Sequence, residues 1–365
     1  MIIKEFVSLA PLTTYKIGGM ARFFAEAETK EEIKKAVLLA REKNVPFFIL
    51  GGGSNILVSD DGFSGLVIKI SSRGVKHEKK GNTIRAIVEA GERWDDFVAY
   101  AVGKGWRGVE NLSGVPGSVG AAPVQNIGCY GTEVKDVIES VYAIDTNNGE
   151  EKIFSKEECG FGYRDSFFKT VEGKRFVITS VVFSLMDAPY AETNDSYKDN
   201  RFDIGKLVME KSVNPTLKDV REVILSVRGE KGMIIAEGAK SYASAGSFFG
   251  APVLPSSHLE RITAIARDLD GEKEKRLRPW FWRIGEDRVK IAPAFLLEFT
   301  PYSKGYARGK VGISPKHSLS IINLGGGTAR EIYSLAKDMS SEVRKVFDVD
   351  LNPEVMFVGD FQMDS

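Results

Sequence analysis

Five short segments of this 365-residue chain hold residue types from which chemistry could be built. The first is Gly51-Gly52-Gly53-Ser54-Asn55, directly after the apolar run Phe47-Phe48-Ile49-Leu50. Glycines let the backbone approach a ligand with no Cβ in the way, and successive N–H groups in such a turn form a nest for an anion. Ser54 and Asn55 add side-chain donors, so a pyrophosphate suits the loop; a tight turn between strands is the plainer reading. The second is the uncharged run from Asn111 to Gly131, with Gly114, Pro116, Gly117, Ser118, Gly120, Ala121, Asn126, Gly128, Tyr130 and Gly131. Its mixture of small and apolar residues predicts a half-buried surface whose peptide groups could meet a flat polar cofactor edge. A glycine-rich surface loop is the alternative.

The third segment is Gly160-Phe161-Gly162-Tyr163-Arg164-Asp165-Ser166. An arginine held between aromatics and glycines can present its planar fork to a carboxylate or phosphate; a surface pairing of Arg164 with Asp165 competes with that role. The fourth, Ala245-Gly246-Ser247-Phe248-Phe249, shields a serine that could donate a proton given a suitable partner. It lacks the G-x-S-x-G pattern of a nucleophile elbow, and an ordinary loop serine would look the same. The fifth, Asn352-Pro353-Glu354-Val355, fixes a carboxylate just ahead of an apolar strand, where a solvated glutamate is the competing reading.

Elements that could position these residues follow from periodicity. Thr29 and Glu32 form a capping box ahead of Ile33, Ala36, Val37 and Ala40, which recur at helical spacing. Phe47–Leu50, Ile56–Val58 and Leu66–Ile70 read as strands, giving a small βαβ unit with the glycine loop at a strand end. Strands are also predicted at Thr83–Val88 and Phe176–Phe183, and a helix at Trp94–Lys104. Residues 187–203 are polar and aperiodic, a loop or linker, and a helix is predicted from Thr216 to Arg228. Residues 229–325 mix loops and strands, and the charged stretch Asp268–Arg278 reads as a solvated helix end. A second capping box, Thr328 to Glu331, opens a helix with Ile332, Leu335, Ala336, Val343, Val346 and Phe347 on one face, before a final strand at Val355–Val358.

Composition narrows the classes. Fifty basic and fifty acidic side chains cancel, so nothing points to nucleic acid or to a strongly charged partner. No signal peptide and no apolar run near the roughly 20 residues of a membrane span is found, which makes cytoplasm the expected location. Cys129 and Cys159 have no disulfide-framework or metal-site spacing, so no metal is expected. Neither G-x-G-x-x-G nor G-x-x-x-x-G-K-[ST] occurs, which excludes a P-loop NTPase.

In this order, and together with Thr13-Thr14-Tyr15-Lys16-Ile17-Gly18-Gly19, the five segments resemble the UDP-N-acetylenolpyruvoylglucosamine reductase family across nearly the whole chain. The resemblance implies an α+β protein: an FAD-binding region of the vanillyl-alcohol-oxidase type in two subdomains, plus a C-terminal α+β substrate-binding domain. The implied division is 1–70, with 350–365 returning to it, then 71–204 and 205–349. It further implies that residues 51–55 hold the pyrophosphate of non-covalent FAD and that Gly114–Gly131 line the flavin. NADPH and UDP-N-acetylglucosamine enolpyruvate would use one site in turn, and hydride would pass through FAD to the enolpyruvyl methylene carbon. By the same resemblance Arg164 and Glu354 stabilise the enolate, an electrostatic role, and Ser247 protonates the neighbouring carbon. Tyr197, Arg228, Lys231 and His317 are the implied substrate contacts; a solvated helix end for Arg228 and Lys231, and a structural histidine for His317, stay open. A monomer is expected.

The chain departs from the family pattern in its second half. Gly250 and Ala251 stand before Pro252 where a polar residue and Asn are usual, and Ile291-Ala292-Pro293-Ala294 replaces a small-residue turn. Two other readings compete. One is a different FAD-dependent oxidoreductase of the same fold, which would not need the Ser247 and Glu354 segments. The other is a non-catalytic nucleotide-sugar binding protein, which would not need Arg164 either. None of His77, His258 and His317 lies in the glycine loops, which argues against a covalent flavin.

Overall fold

The computed structural model describes residues 1–191, 202–234 and 242–361. The chain opens with a four-stranded sheet whose spatial order is Ile3–Ser8, Met20–Ala27, Phe63–Ile70, Phe47–Leu50. Helix α1, Lys30–Glu42, packs Ile33, Ala36, Val37 and Ala40 onto it. The Thr29 hydroxyl accepts from the Glu32 N–H as the sequence predicts. The Glu32 carboxylate, however, accepts from the Glu28 N–H at 2.8 Å and pairs with the Met1 ammonium, so the reciprocal half of the box lands one residue early. The short strand Ile56–Val58 leaves this sheet and pairs in parallel with the C-terminal strand Met356–Val358. That pairing brings a carboxylate some three hundred positions away to the glycine loop.

The second sheet is antiparallel, in the order Glu151–Ser155, Ile138–Asp145, Phe176–Asp187, Thr83–Glu89, Val75–Lys80, with Trp106–Arg107 pairing the end of the long strand. Its long central strand, Phe176–Asp187, is buried over its first eight residues because both its faces are covered there. Helix α2, Trp94–Gly103, covers one face with Trp94, Phe97, Val98 and Ala101, and Phe97 stacks on Phe183 at 4.9 Å. One apolar core runs through both sheets. Helices α3, Ile204–Lys211, and α4, Leu217–Glu230, lie against each other and against Tyr130, and Arg221 of α4 grips Asp95 of α2 through two hydrogen bonds.

The remaining chain builds a second core around Phe248, Phe249, Trp280 and Phe295. Two small antiparallel sheets flank it, together with α5 (His258–Arg276), α6 (Pro293–Glu298) and α7 (Ala329–Phe347). The apolar face predicted for α7 is buried, except that Val346 is only half-buried. Its first N–H groups donate to Thr328 and also to Asp60, which follows the strand Ile56–Val58, at 2.7 and 3.0 Å. The charged stretch Asp268–Arg278 is not simply solvated. Glu274 is 0% exposed, and it accepts from Arg278 at 2.7 Å and from the Trp280 indole at 3.2 Å. A buried carboxylate needs such partners, and sequence periodicity does not reveal that one member of a charged run turns inward. Among the described residues no helix is long and apolar enough to cross a membrane, and no cluster of His, Cys, Asp and Glu could hold a metal ion.

Candidate active site

The two glycine-bearing loops lie back to back. A Cβ on Gly52 would sit 2.6 Å from the Gly117 Cα, and one on Gly51 would sit 2.6 Å from the Ser118 Oγ. Gly53 has φ +62° and its Cβ would strike the Leu12 carbonyl at 2.1 Å, so backbone contacts demand glycine at positions 52 and 53. Among the described residues, the N–H groups of Gly52, Gly53 and Ser54 meet no acceptor. A row of unpaired N–H groups on a loop too crowded for side chains is the donor set that a pyrophosphate satisfies, so the loop fits the diphosphate of FAD.

The expected side-chain donors turn inward instead. Ser54 donates to the Pro116 carbonyl at 3.2 Å and ties the two loops together. The Asn55 amide donates to Gln125 at 2.6 Å and to the Glu354 carbonyl at 3.0 Å, so Asn55 holds the C-terminal segment against the glycine loop. Within the second loop, Gly114, Gly117 and Gly131 have positive φ. Gly120 is pressed on Ala90, whose Cβ is 2.6 Å from where its own would be, while Ala121 is exposed and Gly128 half-buried. Two of the residues expected against the cofactor are packed into the protein. Asn126 is fully buried, donating to the Gly162 carbonyl at 2.9 Å and accepting from the Lys135 N–H, so it anchors the Arg164 loop. Tyr130 is buried among residues of α3 and α4.

Arg164 and Glu354 meet. Arg164 adopts φ +52°, a left-handed conformation that costs a non-glycine residue energy, and it is over-determined by its contacts. Its Nη2 donates to the Gly128 carbonyl at 2.6 Å and its Nε lies 3.0 Å from the Glu354 Oε1. Asp165 pairs with Lys169 instead, at 3.9 Å, which removes the competing surface pairing. The Glu354 N–H donates to the Phe248 carbonyl at 2.8 Å, and Phe249 bridges Pro353. Ser247 is the neighbour of that anchored Phe248 and is half-buried after Gly246, whose φ is +75°. Backbone hydrogen bonds thus bring the serine and glutamate segments together. Burial pushes the Glu354 carboxyl above the ordinary glutamate range, against the opposing pull of Arg164.

The α4 end is not solvated. Arg228 is 6% exposed and donates to the Gly114 carbonyl at 3.1 Å and the Met233 carbonyl at 3.2 Å. Lys231 is 8% exposed, its ammonium over the rings of Tyr130 and Phe202 at 5.4 and 5.1 Å. His317 accepts the Leu319 N–H at Nδ1 within a turn, and Leu319 in turn accepts from the Phe248 N–H; the structural-histidine reading accounts for these contacts. Tyr197 lies outside the described residues.

Sequence reasoning passed over three residues of the site. Lys290 sits on the strand Arg288–Ile291 with its ammonium 4.4 Å from the Tyr163 ring centroid, beside Arg164; burial lowers its pKa and Arg164 adds to that. Its signal was the alternation with Val289 and Ile291, which face the core. Gln125 and Asp95 act on backbone or side chains far away in sequence, and no local pattern marks such a role.

Residues 21–155 match a family profile described as an FAD binding domain. Residues 238–358 match one described as the UDP-N-acetylenolpyruvoylglucosamine reductase C-terminal domain. The UDP-N-acetylenolpyruvoylglucosamine reductase of Thermobifida fusca is 36% identical over 97% of each chain. That of Pseudomonas aeruginosa is 35% identical over 96% of this chain and 98% of its own. Among solved structures, the reductase from Thermus caldophilus aligns over 98% of this chain and all of its own, with a TM-score of 0.65 and 24% identity. The fold is therefore the α+β arrangement that the sequence implies, with an FAD-binding region and a C-terminal domain.

Proposed function

Because this chain belongs to the UDP-N-acetylenolpyruvoylglucosamine reductase family, we propose that Arg164, Glu354 and Ser247 carry its chemistry. The reaction is the FAD-dependent reduction of UDP-N-acetylglucosamine enolpyruvate to UDP-N-acetylmuramate, a peptidoglycan precursor. FAD, when bound, supplies the hydride that NADPH delivers to it. The protein supplies placement and charge. The single observation that carries the residue assignment is the contact of Arg164 with Glu354 at 3.0 Å, next to the Ser247 segment.

In this reading Arg164 binds the enolpyruvyl carboxylate and stabilises the charge that grows there as hydride arrives. Its strained backbone and its bond to Gly128 fix the guanidinium before substrate enters, so little reorganisation is needed. Glu354, whose raised pKa eases proton sharing, orients the same group. Ser247 gives a proton to the adjacent carbon. The unpaired N–H groups of residues 52–54 hold the FAD diphosphate, and Gly114–Gly131 line the flavin. Lys231, Lys290 and Tyr197 serve the sugar nucleotide, and Arg228 braces the flavin loop through the Gly114 carbonyl. NADPH and the sugar nucleotide use the site in turn. We take 1–70 with 350–365, 71–204 and 205–349 as the working units, and the protein as a cytoplasmic monomer, as the family reading favours.

Anaerobic stopped-flow absorbance tests the assignment. Ser247→Ala should leave NADPH-driven bleaching of the flavin band intact and slow its return on adding the enolpyruvyl sugar by ~10²–10⁴-fold. Arg164→Ala should impair the second half-reaction more than the first. Parental return rates in Ser247→Ala would remove the serine from the mechanism.

A further inference from the structure

We propose that Thr14 is a positioning residue for Ser247, because its hydroxyl, on a residue whose N–H is anchored to the FAD loop, donates across the domain boundary to the carbonyl of Ser244. The proposal rests on the reading of Ser247 as proton donor.

Thr14 makes two bonds that point to different loops. Its backbone N–H donates to the Gly53 carbonyl at 3.0 Å. Its Oγ1 lies 2.6 Å from the Ser244 carbonyl and 3.5 Å from that of Gly53, so the single hydroxyl proton goes to Ser244. Ser244 is buried and pairs with Ile322 on its other side. Two residues separate Ser244 from Ser247, and the next fixed point is Phe248, held by Leu319 and Glu354. Ser247 is thus suspended between two anchors, one on Glu354 and the other on Thr14. The neighbouring residues strengthen the second anchor. The Tyr15 carbonyl accepts from the Asn323 amide at 3.0 Å, and the Tyr15 ring is fully buried in the core that also holds Ala245 and Phe248. The segment is therefore a rigid wedge between the two loops, and its register sets how far the serine stands from the loop that holds FAD.

Valine has the shape of threonine without the donor and keeps the N–H to Gly53. Thr14→Val should therefore spare FAD binding and bleaching by NADPH, while the return of the flavin band on adding the enolpyruvyl sugar slows about 10- to 100-fold, the range for a reacting group displaced by less than an ångström or so. Thr14→Ser, which restores the donor, should recover most of that rate, with the loss in kcat rather than KM. Thr14→Ala repeats the test should valine disturb folding. If both half-reactions slow equally in the Val and Ala variants, or neither slows, Thr14 only supports the fold and the proposal is overturned. Ser247→Ala, measured alongside, separates the two ideas. A slow return in Ser247→Ala with a parental return in Thr14→Val overturns the positioning role alone. A parental return in Ser247→Ala overturns the proton-donor reading and the proposal with it.

Discussion

Replacing Gly52 by alanine should cost the protein its FAD while leaving its fold in place. The added Cβ would lie 2.6 Å from the Gly117 Cα and 2.8 Å from its carbonyl carbon. Carbon atoms are comfortable at about 3.5–4.0 Å, so the loops must part by roughly 1 Å. Both sides of the contact are backbone, and no side chain can rotate out of the way. The φ of Gly52 lies outside the left-handed range, so crowding acts without added backbone strain. Overpacking of this kind costs about 1–3 kcal/mol. If the cost falls on the spacing that binds the diphosphate, FAD affinity drops about 5- to 150-fold. The assay is titration of apoprotein with FAD by flavin fluorescence, with thermal unfolding in parallel. Gly103→Ala, at the exposed end of α2 where a Cβ would meet nothing within 4 Å, is the control and should bind FAD as the parent does. Parental affinity in Gly52→Ala would refute the idea that the loop pair forms the diphosphate cradle. An equal loss in Gly103→Ala would show that the effect has nothing to do with the loops.

Two further predictions concern buried polar groups. Burial holds the Glu354 pKa above the ordinary glutamate value, so the carboxyl favours folding while protonated and loses that advantage as pH rises through its folded pKa. The thermal midpoint of Glu354→Gln minus that of the parent should accordingly be larger near about pH 8 than near about pH 4; a gap that shrinks with pH would contradict the raised pKa. The Tyr15 hydroxyl is buried with no partner at hydrogen-bond geometry among the described residues, although the Ala245 backbone lies near enough to oppose the rise that burial imposes on its pKa, and a hydroxyl so poorly satisfied costs about 1–3 kcal/mol. Tyr15→Phe should therefore be neutral or stabilising in urea unfolding, and a loss beyond about 1 kcal/mol would mean the hydroxyl is bonded after all.

Local pattern carried much of the fold. The caps at Thr29 and Thr328, the apolar faces of α1 and α7, and the strand feeding the glycine loop all depend on neighbours within one or two turns, and they appear where periodicity put them. The charged run near Glu274 misled because helical periodicity gives no account of a side chain whose partner, the Trp280 indole, lies beyond the helix. Asn55 belongs to the glycine loop that reads as a phosphate nest, and Asn126 to the run that the family resemblance sets against the flavin. An amide in a glycine-rich loop has equal chemistry for a phosphate and for a carbonyl, and only folding shows that these two amides brace Glu354 and Gly162.

By itself the sequence determined the family, the glycine-bearing loops, and the candidacy of Arg164, Ser247 and Glu354, because each depends on residue type and immediate neighbours. The tertiary structure decided their meeting. Strand Met356–Val358 pairs with Ile56–Val58, the Glu354 N–H reaches Phe248, and the Arg164 guanidinium closes on the carboxylate at 3.0 Å. These contacts join segments separated by one to three hundred residues. Loop closure on that scale follows from the packing of whole sheets and helices, not from any pattern that a short stretch of chain can display.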